Sequence, residues 1–280
     1  MSTDGCVAGA RATPEDVLAG RARWCVVEGD ALALLASLPD GCVDAVVTDP
    51  PYASTGDAAS VMQARDGVML VPREVQFYEA WAREHLRAWV RVMRDDGAAW
   101  FTCDWRGAMV FDLAAHKIGH RSPVVGVWDR GGLGMGHILR KTWEAFVVIP
   151  MPRFQRKRAD VPDLWRVEWS AARRECDHAA QKPVPLYERA LDVVTDAPTH
   201  ERAPVVLDPF AGSGTTGEAA LLRGRRVILC ERDHDYAEIA RRRCEAAERG
   251  TDWRAPASQL GLFDADLADA IRARGAGGVE

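Results

Sequence analysis

The sequence predicts an α/β fold built on a doubly wound, mostly parallel sheet of seven strands. Apolar runs that suit buried strands alternate with amphipathic segments that suit helices, and this alternation is typical of a sheet with helices on both faces. A chain of 280 residues, 48% of them hydrophobic, is long enough to bury one large core. Two polar, turn-rich motifs follow apolar runs, as expected where the carboxyl ends of parallel strands border a binding crevice.

The predicted elements follow one another from residue 23. Strands are predicted where apolar residues run together, at residues 24–27, 43–48, 98–102, 124–128, 145–149, 205–207 and 227–230. Helices are predicted where apolar residues recur with helical spacing, at residues 30–38, 77–93, 185–194, 215–222 and 236–247. Two longer stretches interrupt the alternation: a mobile active-site loop at 53–75 and an insertion at 151–181. Mobile tails at 1–22 and 251–280 are expected to flank a domain of residues 23–250.

Composition excludes several classes of protein. The net charge of −5 argues against a surface that is basic throughout, and no apolar run is long enough to cross a membrane. The seven cysteines are scattered and contain no C-x-x-C pair, so we expect reduced core thiols and no structural metal. Because the first residues also lack the pattern of a signal peptide, we expect a cytoplasmic protein.

The insertion is locally basic although the chain is acidic. Residues 151–174 carry seven basic and three acidic side chains, interleaved with aromatic ones. Such a mixture suits a nucleic-acid backbone and its bases, although a solvated loop explains the charge equally well. The candidate nucleic-acid contacts are Arg153, Arg156, Lys157, Arg158, Trp165 and Arg166.

The motif after the strand at 205–207 has the features of a nucleoside-cofactor site. Glycines in Gly212-Ser213-Gly214-Thr215-Thr216 permit a tight turn before a helix, and Glu231 ends the next strand, where it can accept hydrogen bonds from two ribose hydroxyls. The same pattern fits a dinucleotide site or a purely structural turn. However, Asp208 would repel a pyrophosphate and suits the ammonium and sulfonium of S-adenosylmethionine.

The motif after the strand at 43–48 is Asp49-Pro50-Pro51-Tyr52, which suits chemistry on a nucleobase amine. Such an amine is a poor nucleophile because its lone pair is delocalised into the ring. The Asp49 carboxylate and the Pro50 carbonyl could each accept an N–H and free that lone pair. Pro51 stiffens the turn, and Tyr52 offers a face on which an extruded base can stack.

Together these motifs resemble the amino-group DNA methyltransferases that depend on S-adenosylmethionine, in the subgroup with the catalytic motif first. Further matching segments are Gly29-Asp30, Arg91 to Gly97, Val127 to Arg130, Gly134 to Gly136, Trp143-Glu144, His178 and Gln181-Lys182-Pro183. The resemblance covers roughly residues 26–248 and implies a Rossmann-like sheet, double-stranded DNA as substrate and a target-recognition region in the insertion. In this family, Asp at the first position of the tetrapeptide favours adenine N6 over cytosine N4.

The resemblance also implies which residues hold S-adenosyl-L-methionine. These are Asp30, Lys182, Asp208, Phe210, Ala211, Gly212, Ser213, Gly214, Thr215, Thr216, Glu231 and Arg232, beside the catalytic Asp49, Pro50, Pro51 and Tyr52. Two functions from other classes stay open. A nicotinamide-dependent dehydrogenase accounts for the glycines and Glu231 but leaves Asp49 to Tyr52 unexplained. A DNA-binding protein without catalysis leaves both motifs without a purpose.

The C-terminal tail carries a separate motif, Gln259-Leu260-Gly261-Leu262-Phe263. It resembles the short peptide by which bacterial proteins dock on the replicative sliding clamp, where Gln fills a small pocket and Leu-Phe a hydrophobic one. The other interpretation is an amphipathic helix at 262–271 that packs back on the domain. The sequence also leaves the oligomeric state open, with a homodimer as one option.

Overall fold

The computed structural model of the chain describes residues 12–52, 75–134, 138–169 and 181–252, apart from the side chains of 75–77. The described strands are β1 (Trp24–Glu28), β2 (Val43–Thr48), β3 (Met93–Cys103), β4 (Val124–Asp129), β5 (Trp143–Pro150), β6 (Leu164–Arg166), β7 (Val205–Asp208) and β8 (Arg226–Glu231). The described helices are α1 (Pro14–Leu18), α2 (Ala31–Ser37), α3 (Val75–Val92), α4 (Trp105–Lys117), α5 (Val184–Val194), α6 (Thr215–Leu222) and α7 (His234–Arg249).

The strands form one open sheet in the order β1-β8-β7-β2-β3-β5-β4-β6. Every neighbouring pair is parallel except β3 with β5 and β4 with β5, which are antiparallel. This arrangement confirms the predicted fold class, with an eighth strand, β6, that the sequence did not reveal. Helices α1 to α4 cover one face of the sheet and α5 to α7 cover the other, each over its own hydrophobic cluster.

The register of the sheet determines which residues meet at its carboxyl edge. Strands β1, β8, β7, β2 and β3 are parallel and all end there. Because β5 is antiparallel to β3, with Cys103 opposite Ala145, it begins at this edge. The end of β4 lies there too, since Asp129 pairs with Trp143. The ends of all eight strands therefore lie at one edge of the sheet, including that of β6, whose Arg166 pairs with Asp129.

Two helices also lie where the sequence predicted none. Helix α4 begins at Asp104, whose carboxylate accepts a hydrogen bond from the Gly107 backbone N–H at 2.7 Å. Helix α1 lies within residues assigned to the N-terminal tail, and Val17 and Ala22 are buried. The domain therefore extends closer to the N-terminus than residue 23.

Three predictions concern residues outside the described ranges. They are the active-site loop over residues 53–74, His178 with most of its surroundings, and the Gln259–Phe263 motif together with the helix at 262–271. Of the cysteines that the structure describes, Cys25, Cys103, Cys230 and Cys244 are buried free thiols and Cys42 is half-buried. In the described ranges, no helix is both long and apolar enough to cross a membrane.

Candidate active site

The cleft at the carboxyl edge contains the Asp49 carboxylate directly after β2. Its Oδ1 accepts a short hydrogen bond from the Thr102 hydroxyl, which lies near the end of β3. Its Oδ2 accepts a hydrogen bond from the Lys182 ammonium at 2.5 Å. The Asp49 side chain is still 24% exposed, so it faces the cleft and remains within reach of a ligand.

Lys182 lies between two carboxylates, immediately before α5. Besides Asp49, its Nζ lies 3.8 Å from Glu144 Oε2, and it is 5.0 Å from the centroid of the Tyr52 ring. Burial lowers the pKa of Lys182, but the charges of Asp49 and Glu144 outweigh burial, so the net shift is upward. Lys182 is therefore a buried cation at neutral pH, and its ammonium lies at the turn formed by Asp49 to Tyr52.

Glu144, at the start of β5, connects the turn formed by Asp49 to Tyr52 with Arg130, which follows β4. Its Oε2 accepts a hydrogen bond from the Tyr52 hydroxyl at 2.7 Å, and its Oε1 accepts one from Arg130 at 2.9 Å. Burial, with the nearby carboxylates, raises the pKa of Tyr52 well above its ordinary value, so the phenol stays neutral and donates a hydrogen bond to Glu144. Tyr78 holds the same turn by donating to the Pro51 carbonyl at 2.8 Å.

The glycine motif forms a tight loop between β7 and α6. Gly212 and Gly214 both have positive φ, at 51° and 84°, and Gly214 is the N-cap of α6. The fully buried Arg243 of α7 lies under the loop and donates to the Thr215 hydroxyl at 3.0 Å and to the Ser213 carbonyl at 3.3 Å. The backbone of the loop is therefore fixed from below, and Ala211, Ser213, Thr215 and Thr216 are all buried.

Asp208 has a different role from the one predicted for it. It is 2% exposed, and its carboxylate accepts hydrogen bonds from the Thr48 hydroxyl at 2.5 Å, the Thr216 hydroxyl at 2.5 Å and the Phe210 backbone N–H at 2.9 Å. Internal donors thus surround the carboxylate that was expected to face a cationic ligand. Asp208 instead ties the residue before Asp49 to the first turn of α6, so the two motifs are held together by a single side chain.

The buried Asp208 carboxylate predicts a pH dependence of stability. Burial raises the pKa of Asp208 to about 7, despite the opposing hydrogen bonds from Thr216, Thr48 and Phe210. Because the folded pKa lies above the unfolded one, this group's contribution to stability is full below about pH 4 and is lost as pH rises through 7. Asp208→Asn lacks the titration, so its unfolding free energy relative to wild type should rise by up to about 4 kcal/mol over that interval. Urea unfolding at pH 4 and pH 8 measures this, and a difference that does not change with pH would contradict it.

Backbone N–H groups use part of the hydrogen-bonding capacity of the Glu231 carboxylate, at the end of β8. Its carboxylate accepts from the backbone N–H groups of Gly212 at 2.7 Å, Arg232 at 2.8 Å and Asp233 at 2.9 Å. Burial raises the pKa of Glu231, and these three donors oppose that shift. A carboxylate has about four acceptor positions, so Glu231 has room for one ribose hydroxyl where the sequence suggested two.

The remaining predicted cofactor residues lie at the same edge. Asp30 caps α2 by accepting from the backbone of Leu32 at 2.9 Å and Ala33 at 3.1 Å. Phe210 is half-buried beside Trp81, with ring centroids 5.6 Å apart, and is thus part of the wall between β7 and α3. The side chain of Arg232 is exposed, so only its backbone makes a described contact with Glu231.

The insertion divides into exposed basic residues and a buried aromatic one. Arg153, Arg156, Arg158 and Arg166 are exposed, whereas Lys157 is paired with Asp196 at 3.0 Å. Trp165 was predicted to contact DNA, and this is wrong, because it is 1% exposed. It stacks with Trp100, with ring centroids 6.0 Å apart, and packs at a tilt against Phe146, with ring centroids 4.3 Å apart. It lies on the inner face of β6, where an aromatic residue extends the core.

Sequence reasoning missed three contributors to the site. Thr102, the pairing of Glu144 with Lys182, and Arg243 carry no motif of their own. Thr102 meets Asp49 because β2 and β3 are parallel, with Thr48 opposite Phe101. Glu144 reaches this edge because β5 is antiparallel to β3, and Arg243 reaches the loop because α7 packs below it. The only available signal was the polar residue that interrupts each apolar run.

Comparisons with known proteins identify the class to which this arrangement is similar. A family model described as DNA methylase matches residues 43–242. "DNA adenine methyltransferase YhdJ" of Escherichia coli (strain K12) is 25% identical over 257 residues, covering 79% of this chain and 83% of that protein. Two solved structures share the fold. The PvuII DNA methyltransferase (cytosine-N4-specific) has a TM-score of 0.64 and 17% identity over 89% of this chain and 92% of its own. The M1.HpyAVI–SAM complex has a TM-score of 0.59 and 18% identity over 79% of this chain and 98% of its own.

Proposed function

The chain belongs to the DNA methylase family, and on that premise we propose that it transfers a methyl group from S-adenosyl-L-methionine to the N6 amine of adenine in double-stranded DNA. The observation that carries the proposal is the Asp208 carboxylate, which joins Thr48, beside Asp49, to Thr216 of the glycine motif. Asp208 thereby holds the Asp49 carboxylate, which suits a nucleobase amine, close to the glycine loop, which suits a nucleoside cofactor.

The residues at the edge fit S-adenosyl-L-methionine, which supplies an electrophilic methyl group on a sulfonium when bound. The Gly212–Gly214 loop lets a ligand approach the backbone closely, and Glu231 has one acceptor position for a ribose hydroxyl. Asp30 follows β1, the strand that pairs with β8. We assign these residues to the cofactor, and Asp208 to holding the loop in place.

The proposed chemistry depends on the effect that the proposed catalytic turn, Asp49 to Tyr52, has on the target amine. The Asp49 carboxylate and Pro50 carbonyl would accept its two N–H groups, which would free the nitrogen lone pair for direct attack on the methyl carbon. As the N–C bond formed, the C–S bond of the sulfonium would break and S-adenosyl-L-homocysteine would leave. The base stacks on Tyr52, which Glu144 holds in place. Asp49, which would accept one N–H of the amine, would be placed to take the proton that the nitrogen loses after transfer. No covalent intermediate with the enzyme is needed.

Adenine is proposed over cytosine, and each has support. Asp49 at the first position of the tetrapeptide and the name of YhdJ support adenine, whereas the name of the PvuII enzyme supports cytosine N4. Both amines can donate to Asp49, so the mechanism is the same for either base. The choice between them depends on the shape of the pocket around the flipped base.

Product analysis tests the proposal. The purified protein is incubated with plasmid DNA and labelled S-adenosyl-L-methionine, and the DNA is digested to nucleosides that are identified by mass. We expect the label in N6-methyladenine. Label in N4-methylcytosine would change the target base and keep the mechanism. The absence of label from every nucleoside, in a preparation that binds the cofactor, would overturn the proposal.

The exposed arginines of the insertion are proposed to contact DNA phosphates. Arg166 ends β6 at the carboxyl edge, whereas the backbone N–H of Arg153 donates to the Asp95 carbonyl near the opposite edge. Only weak or exposed pairs, such as Arg158 with Asp160 at 3.3 Å, compete for the exposed arginines. Phosphate contacts release counterions, so DNA binding should weaken as salt rises. A cytoplasmic location and docking of Gln259–Phe263 on the sliding clamp stay predictions, the latter outside the described residues.

A homodimer through α4 is also proposed. Trp105, Met109 and Leu113 recur every four residues on this helix and are 49%, 65% and 47% exposed, which forms an apolar stripe on its surface. Arg106 and Asp112 flank the stripe, three residues before and three after Met109. A two-fold axis at Met109 with steeply crossing helices brings the unlike charges of two copies together.

Charge reversal tests the homodimer. Arg106→Glu and Asp112→Arg should each weaken self-association by about tenfold, because each places like charges together, and the double variant should restore it. Sedimentation equilibrium measures the dissociation constants. Wild type that is monomeric at every concentration, or a double variant as weak as the single ones, would rule out this interface.

A further inference from the structure

The Lys182 side chain makes the two contacts that the proposed mechanism requires of the target base. Its Nζ donates to Asp49 Oδ2 at 2.5 Å, where the exocyclic amine would donate. The same atom lies over the Tyr52 ring, 5.0 Å from its centroid, where the base would stack. Because the other Asp49 oxygen is taken by Thr102, a cation occupies the position that an extruded base has to enter.

The surroundings offer Lys182 a second position. Glu144 Oε2 lies only 3.8 Å from Nζ, and the partners that Glu144 already has, Tyr52 and Arg130, leave acceptor capacity on its carboxylate. The lysine backbone is anchored, since the Gln181 carbonyl accepts a hydrogen bond from the Trp169 indole at 2.9 Å and α5 begins just beyond Pro183. A rotation of the side chain alone can therefore carry the charge from one carboxylate to the other.

We propose that Lys182 is a displaceable occupant of the target-base site and moves from Asp49 to Glu144 when the amine enters. The inference rests on the proposed function and extends it, because it makes Lys182 and Glu144 positioning residues for the base in addition to the catalytic turn. The exchange keeps the buried ammonium paired throughout, which avoids the large cost of leaving a charge unpaired in the interior. It also keeps Asp49 paired when no base is present.

The experiment is a double-mutant cycle on steady-state methylation of plasmid DNA. Lys182→Met keeps the length of the side chain and removes the occupant, so KM for DNA should fall by about threefold or more. Glu144→Gln removes the charge that receives the lysine, so kcat/KM for DNA should fall by about tenfold or more while the affinity for S-adenosyl-L-methionine is unchanged. The variant with both changes should recover most of that loss, because no ammonium then has to be relocated.

The outcomes separate the inference from simpler roles. Suppression of the Glu144→Gln defect by Lys182→Met supports the exchange. If Glu144 only braces Tyr52, the double variant will be as impaired as Glu144→Gln, and the inference is overturned. A folded Lys182→Met protein that has lost cofactor affinity or activity overturns it as well. Lys117→Met is the matched control, since it removes a lysine paired with Glu79 at 2.9 Å on α4, away from the cleft.

The cycle also separates this inference from the proposed function. If the wild-type protein binds S-adenosyl-L-methionine but labels no nucleoside, the proposed function fails before any variant is compared. If the wild type methylates DNA and the double variant shows no recovery, only the exchange of Lys182 fails. Thermal unfolding of each variant establishes that the proteins compared are folded.

Discussion

Asp49→Ala is expected to reduce methyl transfer by about 10³-fold, the range found when a preorganised hydrogen-bonding group is removed from a reacting centre. The variant loses the carboxylate that accepts the amine N–H, and with it the group that localises the nitrogen lone pair. Single-turnover transfer of labelled methyl groups to DNA measures the loss. Calorimetric titration should give an almost unchanged affinity for S-adenosyl-L-methionine, because the glycine loop and Glu231 are anchored independently of Asp49.

The structure indicates that this variant will fold. Removal of Asp49 leaves Lys182 with Glu144 at 3.8 Å, so the buried ammonium keeps a carboxylate partner. Asp40→Ala is a suitable control, because Asp40 is 79% exposed before β2, at the opposite edge of the sheet, and its ion pair with Arg91 is on the surface. Methylation by Asp49→Ala at a rate comparable to that of the control would exclude Asp49 as the catalytic residue.

Residues at strand ends were the most predictable part of the site. Asp49 and the Gly212–Gly214 loop each follow an apolar run, so their meeting at one edge required only that the sheet be parallel. Arg130 and Glu144 lie at that edge because β4 and β5 run antiparallel to each other, with Trp128 opposite Glu144. Local sequence does not contain that register, so the lysine exchange between Asp49 and Glu144 could not be predicted.

Burial accounts for the two misassigned side chains. Asp208 was expected to face a cationic ligand, yet its carboxylate accepts hydrogen bonds from Thr48 at the end of the neighbouring strand β2 and from Thr216 in the first turn of α6. Trp165 was expected to contact DNA because it lies among basic residues, but it is buried against Trp100 of β3 on the same face of the sheet. In both cases the residue type suited the expected ligand. In the folded chain, however, each side chain is buried against a residue distant in sequence, Thr48 for Asp208 and Trp100 for Trp165.

Elements without a strong local pattern were also missed. Helix α4 is largely apolar on both its buried side and its exposed stripe, so helical periodicity is weak there. The short strand β6 is only three residues long and joins the sheet through pairing with β4. Both elements depend on tertiary contacts for their stability, which a search for periodicity cannot detect.

Gly214→Ala is expected to destabilise the protein by about 2–5 kcal/mol, through backbone strain and overpacking together. Gly214 has a φ of +84°, and an added Cβ would lie 2.7 Å from the Ala240 Cα and 2.9 Å from its Cβ. The methyl group would therefore push the loop away from α7. Urea unfolding measures the loss of stability, and titration with S-adenosyl-L-methionine should show affinity reduced by about tenfold or more, since the same backbone is proposed to hold the cofactor.

Gly250→Ala separates backbone strain from overpacking. Gly250, at the end of α7, also has a positive φ, +68°, but an added Cβ would meet nothing within 4 Å. It should therefore cost only the backbone strain, about 1–2 kcal/mol, and leave cofactor affinity unchanged. If Gly214→Ala is no more destabilising than Gly250→Ala, the close packing of the loop against Ala240 of α7 does not require glycine at position 214. A larger loss at Gly214 together with weaker cofactor binding would mean that the close packing of the loop on Ala240 sets the geometry of the cofactor site.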